Sequence, residues 1–238
     1  MSYVREEPLA IAAAQSERAA FIRRTYGHLA GAILAFIALE MVLLQLDGIE
    51  KVVIGMAGNG MVWLLVVGAF IGVSWLANVW ALSGTSRALQ YTGLALYVVA
   101  EAVIFLPLLY MAVYVVPDPS RSLIPTAGIL TLSMFGGLTL AVFTTGKDFS
   151  FLRPILCVCS FVGLGLVVAF CFTGGFTFGL AIAFFMVALA SAAILYHTSN
   201  VLYHYRTDQY VAAALALFAS VATLFYYILW ILMATRDN

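Results

Sequence analysis

The sequence contains very little charge. Only 9% of its 238 residues are Asp, Glu, Lys or Arg, whereas hydrophobic residues make up 64%. Soluble domains carry roughly 25% charged residues, so this composition excludes an ordinary soluble domain. The eleven basic and eleven acidic residues cancel, and without a positive field the chain has no electrostatic means of attracting nucleic acid. We therefore predict a polytopic membrane protein, with the lipid bilayer as a partner and no nucleic acid.

Cysteine and lysine are also scarce. The three cysteines, Cys157, Cys159 and Cys171, lie in or at the end of one apolar run, which favours buried thiols over a disulfide framework or a zinc site. The two lysines, Lys51 and Lys147, both fall in predicted loops, which excludes a retinal Schiff base. The HExxH and GxSG motifs are absent from the sequence. We find no catalytic constellation, and we predict no enzymatic activity and no cofactor.

Seven apolar runs are long enough, or nearly long enough, to cross a bilayer, which requires about 20 residues. They are residues 29–46, 61–82, 91–116, 123–143, 152–172, 176–196 and 210–233. Backbone groups in lipid must be satisfied within the segment, so we predict an all-α membrane protein with seven transmembrane helices. No linker or second domain is visible, and we assign residues 21–238 to a single membrane domain.

Residues 1–20 mix charged residues with alanines and lack a compact apolar region before a cleavage motif, so we predict an uncleaved N-terminal tail. Cytoplasmic loops are enriched in Lys and Arg, which therefore set the orientation. Eight basic residues lie on the side of the N-terminus and three on the other side: Arg5, Arg18, Arg23, Arg24, Arg87, Lys147, Arg153 and Arg206 against Lys51, Arg121 and Arg236. We predict a cytoplasmic N-terminus and an external C-terminus. If the last run re-enters instead of crossing, the C-terminus is also cytoplasmic.

Two carboxylates fall inside predicted spans, where an ionisable group is costly to bury and by default indicates function. Glu101 lies near the middle of the third span, one helical turn after Tyr97. It is either an ion ligand, proton carrier or gate, or a hydrogen-bonded carboxyl that only holds helices together. Glu40 lies toward the outer end of the first span, and for this residue we favour a carboxyl near the interface that faces water.

The segment between the last two runs contains most of the other candidates. His197 and His204 are seven residues apart, so they share a helix face if the sixth helix continues that far. This spacing is poor for zinc, whereas titration near neutral pH makes a pH-sensing role chemically reasonable. The alternative, which we favour slightly, places both at headgroup level at the cytoplasmic mouth, together with Arg206 and Asp208. In the last span, we expect Ser220 to bond to its own helix backbone or to pack as a small residue.

Three segments together indicate a family. FIRRTYGHLA (residues 21–30) enters the first span, TTGKDFSFLRP (residues 144–154) joins the fourth and fifth, and LYHTSNVLYHYRTDQYVAAALALF (residues 195–218) joins the last two. In their order and spacing they resemble the Bax inhibitor-1 family, particularly its bacterial YccA-like branch, over residues 21–233. The resemblance implies a seven-helix bundle in the bacterial inner membrane, with the last helix surrounded by the other six. It also implies a pH-sensitive calcium leak or modulation of the membrane-bound protease FtsH.

The sequence departs from the calcium site of the family that it resembles. Calcium-conducting members carry one aspartate in an LYD-type motif of the sixth span and another in a YLD-type motif of the last span, and the pair shares a proton. Here His197 stands at the first position and Ser220 at the second. Calcium favours several oxygen ligands, carboxylates above all, so the family mechanism cannot operate unchanged. If an ion path remains, Glu101 is the strongest acidic candidate, Glu40 is the next, and His197 repels cations when protonated.

These observations leave two hypotheses of function. In the first, the protein is a Bax inhibitor-1-like membrane protein with a pH-responsive cation leak, calcium being the transported ion, and its carboxylate site is altered. In the second, it is a non-conducting regulator that binds a membrane protease such as FtsH or another membrane partner. The missing aspartates favour the second hypothesis, and Glu101 favours the first. The sequence predicts no particular oligomeric state.

Overall fold

The computed structural model describes residues 8–83, 86–116, 122–173 and 176–236. Within these residues the chain forms eight α-helices. They are α1 (Gln15–Leu43), α2 (Ile49–Ala57), α3 (Gly60–Ala81), α4 (Arg87–Tyr110), α5 (Leu123–Thr145), α6 (Leu152–Thr173), α7 (Phe176–Tyr203) and α8 (Tyr210–Arg236). All except α2 are long and apolar enough to span a membrane, which confirms the predicted all-α fold with seven transmembrane helices.

The ends of several helices follow from local chemistry. The Asn59 side chain caps α3 by accepting hydrogen bonds from two backbone amides of its first turn, at 2.9 and 3.4 Å. Ser86 caps α4 in the same way, at 3.4 Å. A π-helical turn, Met111–Val115, prolongs α4 beyond Pro107. Helix α5 ends at Gly146, whose φ of 57° is the left-handed conformation that glycine adopts without strain. These features set the limits of helices whose interiors are almost uniformly apolar.

Helix α8 is the centre of the bundle. It packs against α1, α3, α4, α5 and α7, and it meets α6 where the rings of Phe170 and Trp230 lie with centroids 5.6 Å apart. Small residues such as Ala213 and Ala214, both fully buried, let neighbouring helices approach its axis closely. The last helix thus contacts the other six spanning helices, as the family resemblance implied.

Helix α7 is longer than the sequence predicted. The predicted sixth span ends at residue 196, but the helix continues to Tyr203 through a polar HTSN stretch. The loop between α5 and α6 supplies partners for this extension: the Ser199 hydroxyl accepts from the Phe149 amide at 3.1 Å, and the Tyr203 hydroxyl donates to the Gly146 carbonyl. His197 therefore lies inside α7 and not in the connecting segment after the sixth predicted span.

The segment before the first span contacts the loop between α7 and α8. Residues 1–7 of the predicted tail lie outside the described residues, and α1 begins at Gln15, within the predicted tail. The Ala10 amide donates to the Tyr205 carbonyl at 2.9 Å, and the Thr207 amide donates to the Pro8 carbonyl at 3.2 Å. We call this end of the bundle, where α1 and α8 begin and α7 ends, the arginine-rich end. Helix α2 was not predicted and occupies the loop between the first two predicted spans.

The cysteines are free thiols, but they are less buried than predicted. Cys157 is exposed, and Cys159 and Cys171 are only half-buried. The reason is that all three belong to α6, which packs mainly on α7 and less on α3 and therefore leaves much of its surface to lipid.

Candidate functional site

A cavity of about 320 Å³ lies between α6, α7 and α8. His197 of α7 and Ser220 of α8 both line it, and these are the two positions at which the resemblance places aspartates in calcium-conducting proteins. The remaining lining residues are Arg153, Leu156, Cys157, Ser160, Met186, Leu189, Ala190, Ala193, Tyr196, Ala219 and Thr223. The fold therefore brings the two substituted positions to one space, which we call the α6–α8 cavity.

The hydroxyl groups that α8 contributes to this cavity are bonded to its own backbone. The Ser220 hydroxyl donates to the Ala216 carbonyl at 3.0 Å, and the Thr223 hydroxyl donates to the Ala219 carbonyl at 2.8 Å. This is the arrangement expected for a hydroxyl side chain within a helix. Each oxygen keeps lone pairs that can still accept, so α8 presents acceptors to the cavity while its hydroxyl protons are already used.

His197 is a titratable residue of the α6–α8 cavity with an incompletely hydrogen-bonded side chain. Its ring lies edge-on to Tyr196, with centroids 5.0 Å apart. Its Nδ1 is buried and has no hydrogen-bond partner among the described residues. A buried polar atom without a partner is destabilising, so Nδ1 of His197 does not contribute to stability through a hydrogen bond within the described part of the chain.

The charge in the α6–α8 cavity is positive. Arg153, an exposed residue in the first turn of α6, lines the space, and no carboxylate stands among the described lining residues. Hydroxyl oxygens, an imidazole and a guanidinium do not make a tight calcium site, because calcium needs six to eight oxygen ligands and favours carboxylates; an ion that enters this cavity is bound only weakly.

Glu101 lies elsewhere, on the other side of α8. It is 4% exposed, and the Tyr97 hydroxyl one turn earlier donates to its Oε1 at 3.2 Å. The Tyr97 ring packs edge-on against Phe218, with centroids 6.0 Å apart. Phe218 and Ser220 are separated by about 200° around the helix axis, so Tyr97 meets the face of α8 opposite to the cavity. This hydrogen bond lies within α4 and does not itself join two helices. Glu101 does not line the α6–α8 cavity.

The interpretation of Glu40 as a carboxyl that faces water is wrong. Its side chain is only 4% exposed, and neither carboxylate oxygen has a hydrogen-bond partner among the described residues. The physical reason is its place in the helix, four residues after Phe36 on the stripe of α1 that faces the bundle. Its position near the end of the predicted span suggested that it lies at the membrane–water interface. Its position around the helix axis, however, points its side chain into the bundle.

The predicted mouth residues lie at the arginine-rich end and are partly exposed. His204 Nε2 is 3.0 Å from Asp148 Oδ2, and the Arg206 guanidinium binds Asp208 through two contacts of 2.9 and 3.2 Å. Burial alone would raise the pKa of Asp148, but hydrogen bonds from the Ser150 amide and from His204 outweigh it and lower that pKa below its usual value. His204 follows the end of α7 and does not line the cavity with His197. The two histidines therefore do not form one site.

Sequence reasoning missed Arg153 as a member of the site. It treated this residue only as a basic charge that sets orientation. The available signal was its position in the TTGKDFSFLRP segment, directly before an apolar helix, but only the packing of α6 beside α7 and α8 shows that its side chain reaches the cavity.

The fold and this cavity define a class of protein: a membrane bundle in which a buried last helix is surrounded by six others and shares a polar cavity with two of them. The sequence profile of the family described as "Inhibitor of apoptosis-promoting Bax1" matches residues 18–237. The chain belongs to this family, the Bax inhibitor-1 family.

Two relatives are similar to the chain over different lengths. An uncharacterized protein of Pseudomonas aeruginosa is 30% identical over 224 residues, which cover 92% of this chain and 91% of that protein. A BI1-like protein of Arabidopsis thaliana is 37% identical over 112 residues, which cover 44% of this chain and 42% of that protein. The similarity to the bacterial protein extends over nearly the whole membrane bundle.

Proposed function

We propose that the protein is a pH-responsive cation leak, with calcium as a transported ion, and that the α6–α8 cavity is an altered form of the acidic site of its family. The observation that carries this proposal is the convergence of His197 and Ser220, from two helices, on one cavity. Together with the unpartnered Nδ1 of His197, it supports a site that responds to protons.

The charges around the cavity determine the sign of the pH response. With His197 neutral, Arg153 is the cation among the described lining residues, and hydroxyl oxygens of Ser220 and Thr223 are available to an ion. With His197 protonated, a second positive charge joins Arg153 in the cavity and repels cations more strongly. Tyr196 and Cys157 also line the cavity, but they are a phenol and a thiol, and neither adds a carboxylate that could offset this charge. The leak therefore falls on acidification.

A flux measurement tests this proposal. The purified protein is placed in liposomes that contain a calcium-sensitive dye, and influx is followed between about pH 8 and about pH 4, a range that extends below the one in which free histidines titrate. We expect influx above that of empty liposomes, and a decrease as the pH falls. His197→Ala should remove the decrease, whereas the matched variant His204→Ala, outside the cavity, should retain it. An unchanged pH response in His197→Ala would exclude His197 as the sensor.

A second candidate function is regulation of a membrane protease of the FtsH type, or of another membrane partner, without conduction. The observation in its favour is that the cavity has no carboxylate among its described lining residues, while Glu40 and Glu101 are buried elsewhere. Absence of flux from correctly folded protein would favour this function. In that case, deletion of the gene should change the half-lives of protease substrates while cytosolic calcium stays constant.

A further inference from the structure

A second cavity, a lateral groove of about 720 Å³, lies between α1 and α4. Small residues of α1 and a wall of α4 form most of its length. They include Gly27, Gly31 and Ala35 on α1 and Tyr91, Ala95 and Val98 on α4. We call it the α1–α4 groove, and it is separate from the α6–α8 cavity on which the proposed function rests.

The groove is open along a length that suits a lipid chain. A Cβ atom placed on Gly27 or on Gly31 would meet nothing within 4 Å, so these glycines do not serve contact with another helix of the described chain. The lining on α1 extends from Arg23 to Leu39, which at 1.5 Å per residue is roughly 24 Å. This exceeds the thickness of one leaflet, about 15 Å, which is half of the hydrocarbon core.

One end of the groove is cationic. Arg23 and Arg24 line this end, both are exposed, and neither forms an ion pair within the described part of the chain. His28 lies beside them, with its Nε2 3.1 Å from the Tyr91 hydroxyl. No carboxylate is present among the described lining residues. Guanidinium groups match the geometry of phosphate oxygens, and basic residues at a membrane surface attract anionic lipids.

The charge at one end favours a lipid over a partner helix. The groove is apolar along most of its length and ends at two exposed arginines, with no carboxylate among its described lining residues. This arrangement matches an acyl chain that carries a phosphate headgroup. The spacing of Gly27 and Gly31 is also that of a helix-pairing seam, so a dimer of this chain is the outcome against which the lipid must be tested.

We propose that the α1–α4 groove binds one anionic phospholipid. An acyl chain lies along Gly27, Gly31 and Ala35, and the headgroup phosphate binds Arg23 and Arg24. A zwitterionic lipid with the same acyl chains fits the apolar part equally well, so the arginines confer the preference for negative charge.

The test uses the full-length protein, stripped of lipid in detergent and mixed with equal amounts of phosphatidylglycerol and phosphatidylcholine that have the same acyl chains. Native mass spectrometry then counts the lipids retained and shows whether the protein is a monomer or a dimer. We expect one phosphatidylglycerol to be retained in preference. Replacing Arg23 and Arg24 by Gln should reduce this preference about five-fold for each arginine.

Filling the groove tests the apolar part. Gly31→Leu should remove retention of both lipids, whereas Gly68→Leu on α3, where a Cβ also meets nothing within 4 Å, should not. If Gly31→Leu does not fold, Ala35→Leu fills the same groove. Equal retention of the two lipids by the wild type, or retention by the filled variants, would overturn the proposal. So would a wild-type dimer that Gly31→Leu converts to a monomer, because the groove would then belong to a second copy.

Discussion

The two faces of α8 differ in what they place next to the central helix. Toward α1 and α4, the Phe218 ring packs edge-on against Phe36 and Tyr97, with centroids 6.0 Å apart in both pairs. The buried carboxylates Glu40 and Glu101 belong to these two neighbouring helices. Toward α6 and α7, the helix presents the small side chains Ala219, Ser220 and Thr223 to a cavity. The face of α8 toward α1 and α4 is densely packed and has acidic residues nearby. The face toward α6 and α7 borders a cavity that has no carboxylate among its described lining residues.

This difference matters because a calcium site requires both features at the same place. Cations need room for ligands or water around them, and calcium needs carboxylate oxygens. Glu101 lies across α8 from the open space, with Tyr97 as its partner, so it is a poor replacement for the aspartates that the resemblance implies. The buried carboxylates and the open cavity of this chain lie on different faces of α8.

The largest expected effect comes from emptying the packed face. Phe218 is 2% exposed, and Phe218→Ala should lower the free energy of unfolding by about 2–4 kcal/mol, somewhat less than in water because lipid also solvates a released phenyl ring. Ser220→Ala, on the cavity face, should change it by less than about 0.5 kcal/mol, since only a bond to its own backbone is lost. Thermal unfolding in detergent measures both. Similar losses would show that the two faces are equally packed.

Placing the acids in the open space should restore a calcium site. A variant carrying both His197→Asp and Ser220→Asp has two carboxylates in the α6–α8 cavity. We expect calcium to stabilise this variant by about 1.4 kcal/mol at ten times its Kd, and we expect no such effect on the wild type. The matched variant with Asn at both positions has nearly the same shape without the charge. If calcium stabilises the Asn variant equally, the absence of carboxylates does not explain the weak calcium binding of the wild-type cavity.

The two buried carboxylates should respond oppositely to replacement by Met. Glu40 has no hydrogen-bond partner among the described residues, so Glu40→Met removes a costly buried group and should stabilise the protein by about 1 kcal/mol. Glu101→Met leaves the buried Tyr97 hydroxyl without its acceptor and should destabilise by about 1 kcal/mol. Thermal unfolding measures both changes in stability. If the two variants change stability in the same direction, the hydrogen bond from Tyr97 does not distinguish Glu101 from Glu40.

The spans were predictable from the sequence, but the two faces of α8 were not. Hydropathy located every spanning helix because each is an apolar run of the required length. It missed the end of α7 because the partners of Ser199 and Tyr203 come from a loop about 50 residues away. The burial of Glu40 could have been inferred from its spacing to Phe36, because residues four apart share a helix face. The α6–α8 cavity could not have been inferred from the sequence, because it depends on how α6 packs beside α7 and α8.

The smallest expected effect concerns the polar contacts that hold the cavity face at the arginine-rich end. Asp148 precedes α6 and His204 follows α7, so their 3.0 Å contact links the ends of two helices that line the cavity. Both side chains are almost half exposed, 42% and 48%, so the pair contributes at most about 1 kcal/mol. Removing it should therefore affect stability far less than emptying the packed face.

The pH dependence of this contribution follows from the lowered pKa of Asp148. A carboxyl whose pKa is lower in the folded state stabilises the protein above its usual value of 3.8, and this stabilisation is lost as the pH falls through the folded value. Asp148→Asn should therefore lower the melting temperature slightly near neutral pH, and the difference from the wild type should disappear in strong acid. A double-mutant cycle with His204→Ala measures the share of the pair itself. A coupling of several kcal/mol would show that surface contacts, and not packing on α8, hold the cavity face together.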